Sequence, residues 1–126
     1  MPSPNYQLAL LYLTHLLVGA DGEIDENEME ALKVIRGMEK ISDETFTNFT
    51  HDVPKMRERD IYSSGLDFIT SCKDQEKLRA FAILYKLISV DGDVHIKEVR
   101  FLLYAAKAAG LNFDDVTAEA AKLSFP

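Results

Sequence analysis

The sequence predicts an all-α fold, a single bundle of about seven helices made from two helix-loop-helix repeats. Three observations carry this. Apolar residues recur at i, i+3 and i+4 along the whole chain. The alternation of a half-buried strand persists nowhere. Sliding the chain by 70 residues brings Leu8 onto Leu78, Leu17 onto Leu87, Asp21 onto Asp91, Gly22 onto Gly92, Glu28 onto Glu98 and Leu32 onto Leu102. Conservative pairs such as Val18 with Ile88 and Ile41 with Leu111 fill the intervals, so the repeat halves run over about 8–41 and 78–111 of one domain spanning 1–126.

Pro4 suits the first turn of a helix reaching about Ala20, whose leucines surround most of its circumference, as befits a central helix. A second helix is expected from about Glu26 to Glu39, with Met29, Leu32, Ile35 and Met38 inward and Gly37 blurring its end. Ser42 followed by Asp43 and Glu44 signals a short third helix carrying Phe46 and Phe49, which Pro54 stops near Val53. A fourth, from about Lys55 to Ser71, aligns Ile61, Gly65, Phe68 and Cys72 on one line. The fifth, Asp74 to Val90, is apolar nearly all round and should be the second central helix. A sixth from about Ile96 to Ala109 ends at Gly110, and a seventh covers roughly Asp114 to Leu123.

At 126 residues the chain is sized for one core. Its 21 acidic against 14 basic residues give a net charge of -7, a field that repels phosphate backbones and anionic headgroups. Nucleic acid is thereby disfavoured, while cations and basic protein surfaces are favoured. Cys72 is the only cysteine, which excludes an intrachain disulfide and fits a reducing cytoplasm. It reads as a small buried thiol on an apolar stripe rather than a nucleophile. The apolar stretch Leu8 to Ala20 resembles the core of a secretory signal, yet no basic residue precedes it. It is also shorter than the roughly 20 residues needed to span a bilayer, and it recurs at Leu78 to Val90. Direct membrane insertion is therefore not expected.

Each repeat centres on a loop reading Asp-Gly, any residue, a β-branched apolar residue, three residues, then Glu. A purely structural account covers every position. Glycine takes positive φ, Ile24 or Val94 plugs the core, and Asp25 with Glu28 has capping-box spacing. The same letters form the second half of an EF-hand loop, but its first two ligand positions are Leu17 and Gly19, or Leu87 and Ser89. A full EF-hand is excluded. A partial divalent-cation site, calcium- or magnesium-like, would draw on Asp21, the Glu23 carbonyl, Asp25 and Glu28, with water completing the shell. The second loop is poorer in carboxylates, since His95 replaces Asp25 and Lys97 adjoins Glu98.

These residues resemble the TerB-like family, the helical domain of bacterial tellurite-resistance proteins that also occurs in a membrane-anchored J-domain co-chaperone family. The resemblance runs from about Leu8 to Leu123 and rests on Asp21-Gly22-x-Ile24-x-x-x-Glu28 with Asp91-Gly92-x-Val94-x-x-x-Glu98. It implies an all-helical bundle without catalysis. It also implies metal binding by acids around the motif, carried over to Asp21, Asp25, Glu26 and Glu28, then Asp91 and Glu98. His95, Ile96 and Lys97 depart from the acid-rich pattern in the second loop.

For an enzyme, the chain lacks a phosphate-binding glycine loop and a nucleophile elbow, and neither His51 nor His95 has a matched acid or nucleophile in the sequence. His15 aligns with Tyr85 and is expected at a partly buried aromatic position; His51 ends a helix and His95 begins one. Two non-enzymatic roles remain open. One is a helical module binding a divalent cation through its Asp-Gly loops, in a stress-resistance or accessory role. The other is an adaptor that docks a protein partner, its loops serving only the fold.

Overall fold

The computed structural model describes residues 3–18, 26–90 and 96–124, and within them every regular element is helical. In order these are α1 (Pro4–Val18), α2 (Glu26–Glu39), α3 (Asp43–Asp52), a 3-10 turn (Val53–Lys55), α4 (Glu58–Thr70), α5 (Asp74–Val90), α6 (Ile96–Ala108) and α7 (Phe113–Ala120).

Capping groups account for most of the boundaries. The Ser3 hydroxyl accepts the Tyr6 amide at 3.2 Å, with Pro4 at the first helical position of α1. α2 runs through Gly37 and ends where Lys40 takes φ 53, letting the Ile41 amide reach back to the Arg36 carbonyl at 3.1 Å. The end of α6 repeats this closure, with Gly110 at φ 82 and the Leu111 amide on the Ala106 carbonyl at 2.9 Å. Ser42 caps α3 through the Thr45 amide and Asn112 caps α7 through the Asp114 amide. Helices α5, α6 and α7 thus begin 70 residues after α1, α2 and α3, and their caps recur at the same interval.

Two boundaries differ from the sequence expectation: the seventh helix, expected to reach about Leu123, ends at Ala120, and the fourth starts late. The fourth helix was placed from about Lys55, but Val53–Lys55 forms a separate 3-10 turn built on Pro54, and Met56 is extended at ψ 152. Arg57 remains extended as the N-cap, and the helix starts only at Glu58. The Tyr12 hydroxyl donates to Met56 Sδ at 3.8 Å, which holds this extended step against α1.

The core is organised around α1, which touches α2, α3, α4, α5 and α6. Leu10, Leu11 and Leu13 are fully buried on different sides of its axis, each contributing about 1.5–3 kcal/mol on transfer from water. α4 lies closest, and Gly65 is what permits it: a Cβ there would come within 3.2 Å of Leu13 and 3.4 Å of Tyr12. α5 buries Phe81, Ile83 and Leu84 and carries α7 along its flank. Leu123 packs back against the core. Phe125, the Asp-Gly loops and their apolar plugs Ile24 and Val94 lie outside the described residues. Among the described residues no helix is long and apolar enough to cross a membrane.

Candidate functional site

Helix α2 crosses α1 so that Glu28, in its first turn, meets His15, in the last turn of α1. The His15 ring donates from Nδ1 to Glu28 Oε2 at 2.5 Å, and both side chains are buried. Phe49 from α3 closes the histidine side, its ring edge-on at a centroid distance of 6.3 Å. His15 was expected to be partly buried. It is instead sealed in the core, because α2 and α3 both fold over the end of α1.

A second buried carboxylate sits at the other end of α2. Glu39 receives Arg79 of α5 through two bonds, Nε to Oε1 at 2.6 Å and Nη2 to Oε2 at 3.0 Å, and also accepts the Tyr6 hydroxyl of α1. The fork of the guanidinium matches the carboxylate geometry, so three helices are fixed by one side chain. Burial, with the Glu39 carboxylate beside it, pushes the Tyr6 hydroxyl far above its ordinary value. The same bonds raise Arg79 further.

The helix starts of α1 and α5 share one acid. Glu76 accepts the Ser3 amide at 3.0 Å and the Lys73 amide at 3.4 Å, satisfying a free donor of each helix. The Ser3 amide holds the Glu76 carboxyl below the usual carboxylate range. Cys72, expected as buried filler, is half-buried beside this point, because α4 ends there and the chain turns outward. Its Sγ donates to the Phe68 carbonyl at 3.3 Å, and burial pushes the thiol up. Both features favour the protonated thiol.

Of the six sequence-predicted metal ligands, Asp21, Asp25 and Asp91 lie outside the described residues. Glu26 is exposed at the start of α2, Glu28 is buried on His15, and Glu98 is half-buried on α6. Among the described residues, no three His, Cys, Asp or Glu side chains are grouped to hold a metal ion. His51 is exposed at the end of α3, between Asp52 at 3.1 Å and Lys55 at 3.0 Å, and His95 lies outside the described residues.

The most distinctive surface belongs to α6. Ile96, Leu103 and Tyr104 are 66%, 43% and 72% exposed, and among the described residues no other large apolar side chain is exposed. All three stand on one side of one helix. Sequence reasoning missed this surface, although Arg100 and Lys107 interrupt the apolar pattern of α6 and could have marked its outer side. The two carboxylate locks were also missed, since neither acid has its partner within one helical turn.

No family model, no curated protein and no solved structure matches this chain.

Proposed function

We propose that this chain is a non-enzymatic, TerB-like helical module, a doubled three-helix unit that works in an accessory or stress-resistance role by docking a protein partner. The observation that carries the docking reading is the exposed apolar side of α6, since three large apolar groups gathered on one helix mark an interaction surface where single ones would not. The doubling is supported by the 70-residue interval between helix starts and between the left-handed residues Lys40 and Gly110. Catalysis is disfavoured by the chemistry of the buried acids: Glu28 is bonded to His15, and Glu39 is saturated by Arg79 and Tyr6.

The test is a photo-crosslinking amino acid introduced at the Tyr104 position and, as a control, at the Glu30 position of α2. The docking reading expects a discrete adduct in cells from the first site and none from the second. Equal labelling from both, or from neither, removes it.

A second reading, weak binding of a calcium- or magnesium-like cation at the Asp21 loop, is favoured by one observation. The last acid of that motif, Glu28, is held in one orientation by His15, as carboxylate ligands are commonly held by an outer hydrogen bond. Asp21, Asp25 and Glu28 would be its ligands. At a cation concentration a hundredfold above the dissociation constant, the native state gains about 2.7 kcal/mol. The melting temperature then rises by about 5 to 10 °C. Calcium, magnesium and manganese that move neither the melting point nor the Gly22 amide at millimolar concentration would leave the loops as structural caps.

A further inference from the structure

We propose that the outer side of α6 docks an acidic amphipathic helix, whose apolar side chains cover Ile96, Leu103 and Tyr104 and whose carboxylates pair with Arg100 and Lys107. The inference rests on the docking reading above and names the chemistry of the partner.

The spacing defines one face. Ile96, Arg100, Leu103 and Lys107 follow one another at intervals of four, three and four, which is a straight stripe along a helix, and Tyr104 stands beside it. All five side chains are exposed. The stripe therefore alternates apolar and cationic groups at the period that a second helix lying alongside would present. Among the described residues neither Arg100 nor Lys107 enters an ion pair, so both charges are uncommitted. This cationic strip belongs to a chain of net charge -7, so complementarity selects an acidic partner for this face. Tyr and Arg, here Tyr104 and Arg100, are the residue types that most often anchor interfaces.

The same geometry disfavours the other occupants. Helices that lie on anionic lipid carry their cations on the polar side of the apolar sector. Here Arg100 and Lys107 fall between Leu103 and Tyr104 around the helix axis, where insertion would drag them into hydrocarbon. A second copy docked α6 to α6 would set Arg100 and Lys107 against themselves. One docked α6 to an acidic face would make the chain an oligomer, which sedimentation reads directly.

The experiment is an amide-shift titration of the full chain with a synthetic helical peptide bearing leucines at alternating three- and four-residue spacing, flanked by glutamates. Saturable shifts confined to the 96–108 amides are expected. Tyr104→Ala and Arg100→Glu should each weaken binding about tenfold or more, roughly 1.4 kcal/mol. The matching peptide with lysine in place of glutamate should leave the spectrum unchanged. Circular dichroism of both variants guards against loss of fold. The proposal is overturned if millimolar acidic peptide leaves the α6 amides in place or if the lysine peptide binds equally. It is also overturned if phosphatidylserine vesicles shift α6 where the peptide does not, or if sedimentation shows self-association that Tyr104→Ala abolishes. A crosslink at the Tyr104 position combined with a silent peptide titration would overturn the acidic-helix assignment alone; silence in both would remove the docking reading itself.

Discussion

Helices α2 and α6 begin 70 residues apart and end in the same left-handed closure, and each buries a leucine at the same interval, Leu32 and Leu102. Their outward sides have nothing in common. Glu26, Glu30, Lys33, Val34 and Gly37 on α2 correspond to Ile96, Arg100, Leu103, Tyr104 and Lys107 on α6. Their carboxylates differ in burial, since Glu28 is fully buried on His15 and Glu98, at the corresponding place, is half-buried. The inward positions stay buried in both halves, Leu32 with Leu102, Ile35 with Ala105 and Glu39 with Ala109, while the outward ones carry an exposed apolar and cationic strip on α6 and charged residues on α2. A fold of this kind can thus specialise one half without disturbing its core.

The largest expected effect separates the two halves at their acids. His15→Phe keeps a ring against Phe49 but removes a hydrogen bond to a fully buried carboxylate, which costs about 1–3 kcal/mol. Tyr85→Phe, at the aligned position, should cost under about 1 kcal/mol, because the Tyr85 ring is half-buried and its edge-on contact with Phe113 survives. Denaturant melts of both variants measure the difference. Equal losses would mean that the two halves are stabilised alike.

The helix closures come next. Lys40 and Gly110 occupy matching left-handed positions, but only glycine adopts that conformation without strain. Lys40→Gly should raise stability by roughly 0.5–1 kcal/mol, and Gly110→Ala should lower it by about 1 kcal/mol. A Cβ at Gly110 meets nothing within 4 Å, so backbone strain is the sole cost. If Lys40→Gly destabilises, the lysine side chain makes a contribution that outweighs its backbone.

How much of this was legible in the sequence follows from the range of each interaction. The bounds of α2 and α5 are set by periodicity and by residues within a turn of the helix end, and the expected limits match the observed ones. The start of α4 was misplaced because Pro54 seeds a 3-10 turn, and the extended Met56 depends on a contact with Tyr12 of α1. Glu39 reads as a solvated acid beside Lys40; its partner Arg79 lies forty residues on, and only the meeting of α2 with α5 buries it. On α6, Val99, Phe101, Leu102, Ala105 and Ala106 add to the exposed Ile96, Leu103 and Tyr104, so apolar character alone cannot tell inward from outward.

A smaller effect concerns the joint start of α1 and α5, where the aligned caps Ser3 and Lys73 both use Glu76. The folded carboxyl titrates below its unfolded value, so its stabilisation is present above the ordinary carboxylate range and fades as pH falls through the depressed value. Glu76→Gln should therefore cost about 1 kcal/mol near neutrality, in line with other helix-start acids. The gap to the unmodified chain should close in acid. A gap that persists below that range would assign the effect to packing.

The smallest expected effect is the sharpest test of the contrast between α2 and α6. Grafting the α2 surface onto α6 by Ile96→Glu, Arg100→Glu, Leu103→Lys and Tyr104→Val changes four exposed side chains and no buried one. Surface replacements of this sort usually stay within about 0.5 kcal/mol each, and an acid at the first position of α6 favours the positive end of the helix. The transition should remain cooperative with a melting point close to that of the unmodified chain, while the acidic-peptide titration falls silent. The stability readout and the binding readout answer different questions. A large drop in melting temperature would show that Ile96, Leu103 or Tyr104 serves the fold, and the outward side of α6 would then be no freer than the inward one. Unchanged stability with binding intact would place the docking surface elsewhere on the bundle.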